Sequence, residues 1–308
     1  MRIPTIPPIL LRRTRNMSSL TYTPARRAEL VENLREVETS IAAAYASAPH
    51  DTRNPSPPRL VAVSKLKPAS DILALYDAGH RHFGENYPQE LSEKAAILPK
   101  DIVWHFIGTL QSNKAKGLVE EVGGGLAVET VGGGKVVGLL EKAMAKRVEG
   151  NAGKEGRLNV FIQVNTSHES VKSGVDPLPT TSDTTDLANH ELVKLATSII
   201  SSPHLNLQGL MTIGSLSSST SASPNPDFTT LSETRNQLFR YLSSEEGKTH
   251  LGPAAAQRIP EKEEHWELSM GMSSDYEQAI RQGSSSVRVG TKIFGERPKK
   301  VEVGGVKK

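Results

Sequence analysis

Residues 60–87 read LVAVSKLKPASDILALYDAGHRHFGENY. The opening run is short, apolar and rich in β-branched residues, which predicts a strand over 60–65. ASDILALYDAG (69–79) has helical periodicity, and a second apolar run predicts a strand over 82–86. Strand, helix and strand in so few residues make the βα unit from which parallel sheets are assembled.

The same alternation continues along the chain. Further strands are predicted near 103–108, 126–130, 158–165, 205–213, 265–272 and 286–293. Helical patterns lie between them, among them PQELSEKAAIL, KVVGLLEKAMAKRV, NHELVKLATSII, FTTLSETRNQLFRYL and SSDYEQAIRQG. Eight strands with crossover helices favour an α/β fold consisting of a single closed (β/α)8 TIM barrel, with an open doubly wound sheet as the alternative. Upstream, Thr23 and Pro24 form a cap and first-turn pair, and Leu30, Leu34, Val37, Ile41 and Tyr45 recur at helical spacing, so an extra N-terminal helix precedes the barrel.

The expected organisation is a basic, disordered leader over 1–22, a barrel over 23–296 and a polar tail over 297–308. Three stretches, VEGNAGKEGR (148–157), DPLPTTSDTTD (176–186) and GSLSSSTSASPNPD (214–227), have the composition of solvated loop insertions.

Composition excludes several classes of function. There is no cysteine, so disulfides, thiolate nucleophiles and cysteine-bound metals are ruled out. No apolar run approaches the roughly 18 residues of a membrane span. The net charge is +3, but residues 1–28 hold six arginines and no acid, leaving 31 basic against 34 acidic residues in the remainder. A body with net charge −3 and no basic stripe argues against nucleic-acid binding. The Arg-rich leader resembles a mitochondrial presequence, although Pro4, Pro7 and Pro8 would interrupt its helix. A cytoplasmic protein, with import as the alternative, is the expectation.

In such barrels the site lies at the carboxyl ends of the strands. Strand one ends in SKLKP, where strand alternation points Lys65 inward and Ser64 away. Burial disfavours the charged form of an amine, and the neutral form can condense with an aldehyde. The bland alternative is a rim lysine whose head reaches water, and Lys67 fits that description. Asn86, beside Glu85, ends strand two. His105 lies within strand three, where a satisfied core residue is commoner than a catalyst, and Gln111 to Asn113 fall in the following loop. Lys172, after strand five, reads alternatively as a solvated loop lysine.

The stronger signal comes from SMGMSSD and VRVGTKIFG. They bring Ser273, Gly290 and Thr291 to the loops after strands seven and eight, where barrels of this class bind phosphate. Ser273 could equally be the N-cap of the next helix. Arg288, in phase with Gly290, points toward the site and needs an acceptor, with a structural ion pair as the alternative.

Seven motifs now stand in order: LVAVSKLKP, HFGENYPQE, WHFIGTLQSNK, IQVNTSHESVKSG, QGLMTIG, LSMGMSSD and VRVGTKIFG. Together they resemble the YggS/PROSC family of pyridoxal phosphate homeostasis proteins over roughly Leu30 to Gly295. That family is similar to the N-terminal barrel of fold-type III enzymes such as alanine racemase.

The resemblance implies that pyridoxal 5′-phosphate (PLP) is carried as a Schiff base on Lys65. It implies that Ser273, Gly290 and Thr291 hold the phosphate, that Arg288 faces the pyridine nitrogen and that Asn86 lies at the cofactor's edge. His105 and Lys172 match family motif positions without an assigned role. The implied function is intracellular PLP (vitamin B6) homeostasis without a defined turnover, with supply of the cofactor to apo PLP-dependent enzymes.

A PLP-dependent racemase or eliminase is the alternative, and a Schiff-base lyase acting through Lys65 alone is a third. Racemases of this type take a second acid/base from another domain. Only 13 residues follow Gly295, so that domain is expected to be missing. A monomer is expected.

Overall fold

Helix α1 (Pro24–Ala46) begins where the sequence signals it: the Thr23 hydroxyl accepts the Arg26 N–H at 3.1 Å and Pro24 occupies the first turn. The computed structural model describes residues 20–151, 156–169, 173–179, 187–215 and 224–296. The leader up to 19, the tail from 297, Lys172 and the middle of each expected insertion lie outside the described residues.

Eight parallel strands follow: β1 (Arg59–Val63), β2 (His82–Glu85), β3 (Val103–Phe106), β4 (Leu126–Val131), β5 (Leu158–Gln163), β6 (Leu205–Met211), β7 (Glu267–Met272) and β8 (Ser286–Val289). Each pairs with the next and β8 closes on β1, so the sheet is a closed barrel rather than an open one. The crossovers are α2 (Ala69–Asp77), α3 (Pro88–Ile97), α4 (Ser112–Val122), α5 (Gly134–Gly150) and α6 (Glu191–Ser201). Three consecutive helices, α7 (Pro226–Ser243), α8 (Glu245–Leu251) and α9 (Pro253–Ala256), join β6 to β7; α10 (Tyr276–Arg281) and α11 (Thr291–Phe294) complete the set.

Three expectations change. Residues 111–113 were expected in a loop, but Gln111 caps α4 and Ser112 and Asn113 open it. The FTTLSETRNQLFRYL pattern is followed by two shorter helices before β7: Ser244 separates α7 from α8, and Gly252 and Pro253 separate α8 from α9. The last strand stops at Val289, and Thr291–Phe294 turn helical, since Gly290 takes φ −119° and ψ −68° instead of continuing the strand.

Strand register fixes which side chains meet. Leu60, Ala62, Phe83, Trp104, Phe106, Val128 and Val160 belong to the apolar layer between barrel and helices. Their alternates face the lumen: Val61 pairs with Arg288, Val63 with Gly84, Gly84 with His105 and His105 with Ala127.

Helix α11 is only four residues long, which leaves a gap in the helical ring beside β8, and α1 packs into it. Arg26 bonds Asp71 of α2 at 2.7 Å and the Phe294 carbonyl at 3.1 Å, while Asn33 bonds the Ile293 carbonyl at 2.9 Å. Leu30 of α1 is fully buried. Among the described residues no helix is long and apolar enough to cross a membrane. Leu30→Ala should therefore lower unfolding stability by about 2–5 kcal/mol, read from the urea midpoint at unchanged m-value.

Candidate cofactor site at the carboxyl ends of the strands

A cavity of about 400 Å³ opens at the carboxyl ends of β1, β7 and β8. Lys65, Ser273, Arg288, Gly290 and Thr291 all line it, beside Val63 and Ile107. Five of the six residues singled out for a cofactor are thus brought together from segments up to 226 positions apart. Asn86 is not among the described lining residues. It follows β2 directly, in phase with Gly84, and its Oδ1 is buried without a hydrogen-bond partner in the structure. Gly108 packs against its backbone: a Cβ there would fall 1.9 Å from the Asn86 carbonyl oxygen.

Ser273 does not cap the next helix, whose N-cap position is Asp275. The Asp275 carboxylate accepts the Met272 N–H at 2.6 Å, which leaves the Ser273 hydroxyl to accept the Gly290 N–H at 3.2 Å. That bond ties the turn after β7 to the turn after β8. Lys67, read from the sequence as a solvated rim lysine, lines the same cavity and donates to the carbonyls of Phe294 and Glu296, at 3.1 and 2.6 Å. Its proximity to Lys65 in SKLKP was the signal for it.

Beneath the cavity the lumen is polar. Arg288 donates to the Ser269 hydroxyl at 2.5 Å and to the Thr212 carbonyl at 2.7 Å. Ser269 donates to Glu129 Oε2 at 2.6 Å, and Glu129 Oε1 lies 2.6 Å from His105 Nδ1. His105 Nε2 is 3.1 Å from His82 Nδ1. A proton arrangement that satisfies each contact has His82 Nδ1–H donating to His105 and His105 Nδ1–H donating to Glu129.

Burial alone would raise the Glu129 carboxyl, but the hydrogen bonds from His105 and Ser269 and the nearby charge of Arg288 hold it below the ordinary carboxylate range. Burial pulls the Arg288 guanidinium down, opposed by Glu129 and Asp275. Arg288 lines the cavity and reaches an acid, Glu129, through the Ser269 hydroxyl. His105 is a satisfied lumen residue outside the cavity lining. Glu129 and Ser269 escaped the sequence reading, since ETV and LSM are unremarkable strand text until register brings them together.

A larger hollow of about 900 Å³ lies at the opposite mouth, lined by α1, Arg59 and residues 77–82, and contains neither the lysine nor the glycine turns.

No family model matches the chain. It is 41% identical over 239 residues to the pyridoxal phosphate homeostasis protein of Schizosaccharomyces pombe, covering 78% of this chain and 84% of that protein. The chain belongs to the pyridoxal phosphate homeostasis protein family. Within solved structures, PipY of Synechococcus elongatus with PLP bound matches at TM-score 0.54 and 27% identity, over 86% of this chain and 100% of that one. Alanine racemase from Corynebacterium glutamicum matches at TM-score 0.51 and 13% identity, over 90% of this chain and 64% of that one, a likeness of fold alone. For this member of the family, the barrel expected from eight predicted strands is the observed fold.

Two histidines at the amino end of β2 give the protein an acid limb. Burial is the main reason His80 is lowered to about 4 and His82 to about 3, with the charge of Arg81 adding to the first and that of Arg59 to the second. Between those values and the ordinary histidine range near 6.5 the unfolded chain binds more protons than the folded one. Stability should therefore be full above about pH 6.5 and fall as pH drops toward 4. His82→Gln should flatten that slope in denaturant midpoints measured against pH.

Proposed function

We propose that this chain binds PLP in the cavity at the ends of β1, β7 and β8, with Lys65 as its covalent anchor. We further propose that it stores the cofactor and supplies it to apo-enzymes rather than turning over a substrate. The observation that carries this reading is the convergence of Lys65, Ser273, Arg288, Gly290 and Thr291 on one cavity.

The residues fit the group. The volume suits a small phosphorylated ring. At Gly290 a Cβ would meet the Val63 carbonyl oxygen at 3.1 Å and Val63 Cβ at 3.2 Å, so the bare backbone there keeps the approach to the β8 turn open. When bound, PLP supplies an aldehyde that reacts with amines and a ring that withdraws electrons.

The chain's own residues divide the work. Lys65 offers the amine. Ser273, Thr291 and the first N–H groups of α11 receive the phosphate, as N–H groups at a helix start receive anions. Arg288, aimed by Ser269 and the Thr212 carbonyl, would be the partner for the pyridine nitrogen. An arginine gives up a proton with difficulty, so a guanidinium at that position would leave a ring nitrogen unprotonated and limit the ring's capacity to withdraw electrons. That choice favours holding over carbanion chemistry. Asn86, just after β2, would approach the cofactor's edge with its unpartnered Oδ1. The homeostasis name of the S. pombe relative and the PLP in PipY support this reading.

After incubation with PLP the protein should show a visible absorbance band that is lost in Lys65→Ala; a colourless wild type overturns the reading. Ser273→Ala and Thr291→Ala should each raise the PLP dissociation constant about tenfold in equilibrium dialysis, the loss expected for one hydrogen bond to a charged group. Incubated in deuterium oxide with the PLP-loaded protein, a panel of amino acids should keep its α-protons. Exchange at an enzyme-like rate would instead establish a racemase or eliminase.

A further inference from the structure

Lys65 sits at the corner of a four-residue turn closed by the Lys67 N–H on the Ser64 carbonyl at 3.0 Å. The next residue in that turn, Leu66, has φ +61°. Left-handed backbone at this position is ordinarily taken by glycine or asparagine. Leu66 is 46% exposed, so core packing does not account for a leucine in this conformation. Among the described residues only His168 shares a positive φ without being glycine. Strain of this kind persists only where surrounding contacts over-determine it.

Those contacts come from α3. The Leu66 N–H donates to Glu90 Oε1 at 2.7 Å. One turn further on, Lys94 donates to the same Glu90 oxygen at 2.6 Å, to Glu85 Oε1 at 2.6 Å and to the Ser64 carbonyl at 2.9 Å. All three ammonium protons are thereby used, and the Lys94 side chain is only 7% exposed. The Ser64 hydroxyl also bonds Glu85, at 2.6 Å. The peptide groups on both sides of Lys65 are therefore gripped by one buried ionic cluster. An apolar set could fill the same space without the desolvation that three charged side chains impose. What the cluster adds is direction: it holds the Ser64 carbonyl and the Leu66 N–H at fixed positions.

We propose that Glu90 and Lys94 are positioning residues for Lys65, holding the strained turn that presents its amine to the cavity. The inference rests on the reading of Lys65 as the PLP anchor. Neither residue touches the cavity; each acts through the backbone of Ser64 and Leu66.

The test compares two ligands. PLP can condense with Lys65, whereas pyridoxine 5′-phosphate carries an alcohol in place of the aldehyde and reports only the phosphate and ring contacts. Glu90→Ala and Lys94→Met should each weaken PLP binding about tenfold, as one charged hydrogen bond suggests, with slower growth of the visible band. Affinity for pyridoxine 5′-phosphate should change less than about twofold, which also shows that the variants are folded. Leu66→Asn, which suits left-handed backbone, should load PLP like the wild type and restore most of the loss when combined with Glu90→Ala.

Undiminished PLP loading in Glu90→Ala overturns the proposal. So does a parallel loss of both ligands, which marks a general structural role, or a failure of Leu66→Asn to rescue. If Lys94→Met does not fold, Glu90→Ala and the rescue decide. A wild type without a Lys65-dependent band overturns the anchor reading itself and, with it, this one.

Discussion

A β-strand repeats every two residues, and in a closed barrel that period sorts every strand residue into lumen or helix layer with no third choice. Closure of β8 on β1 locks the phase: Val61 must lie beside Arg288, so Val63 lies beside the β8 turn and Lys65 follows on the same side. A slip of one residue would bury Lys65 beneath α3 and send Ser64 into the cavity. The anchor, the arginine and the glycine turn face one another because the register of one strand pair allows nothing else.

The same phase creates an expense. Barrel interiors are ordinarily filled by branched apolar side chains. Here the register directs Arg288, Glu129, His105 and Ser269 into the lumen, all buried. Removing an arginine from water is tolerable only if its donors find acceptors and its charge finds a counter-charge. Ser269 and the Thr212 carbonyl supply the first and Glu129, one hydroxyl away, the second. The lumen thus serves as a rigid mount for the one guanidinium that faces the cavity, and His82 and His105 extend it toward the opposite mouth.

The edges of the site are mounted from outside the barrel. Helix α11 is too short to complete the ring, so α1 takes that place, and its Arg26 and Asn33 satisfy the last carbonyls of α11. Lys67 holds the same carbonyl end from the β1 turn. On the other flank, α3 begins directly after Asn86 and reaches back with Glu90 and Lys94 to the turn of Lys65. The N-terminal helix and the second crossover therefore act on the site without entering it.

Much of this was legible in one dimension. Eight short apolar runs with helical text between them specified a barrel, because burial on both faces of a parallel strand imposes that pattern on the sequence. Thr23 and Pro24 specified where α1 starts, because a cap is a local hydrogen bond. The ends of strands one, seven and eight specified the candidate residues, because barrel sites lie there. Tertiary structure alone decided the rest. Ser273 bonds the β8 turn instead of capping a helix, and Lys67 bonds the carbonyl end of α11; neither partner is near in sequence. Glu129 and Ser269 meet across 140 positions. Glu90 and Lys94 meet Lys65 only because α3 packs over β1. Local propensity fixes what each segment becomes, whereas a contact between distant segments depends on register and closure, which no single segment encodes.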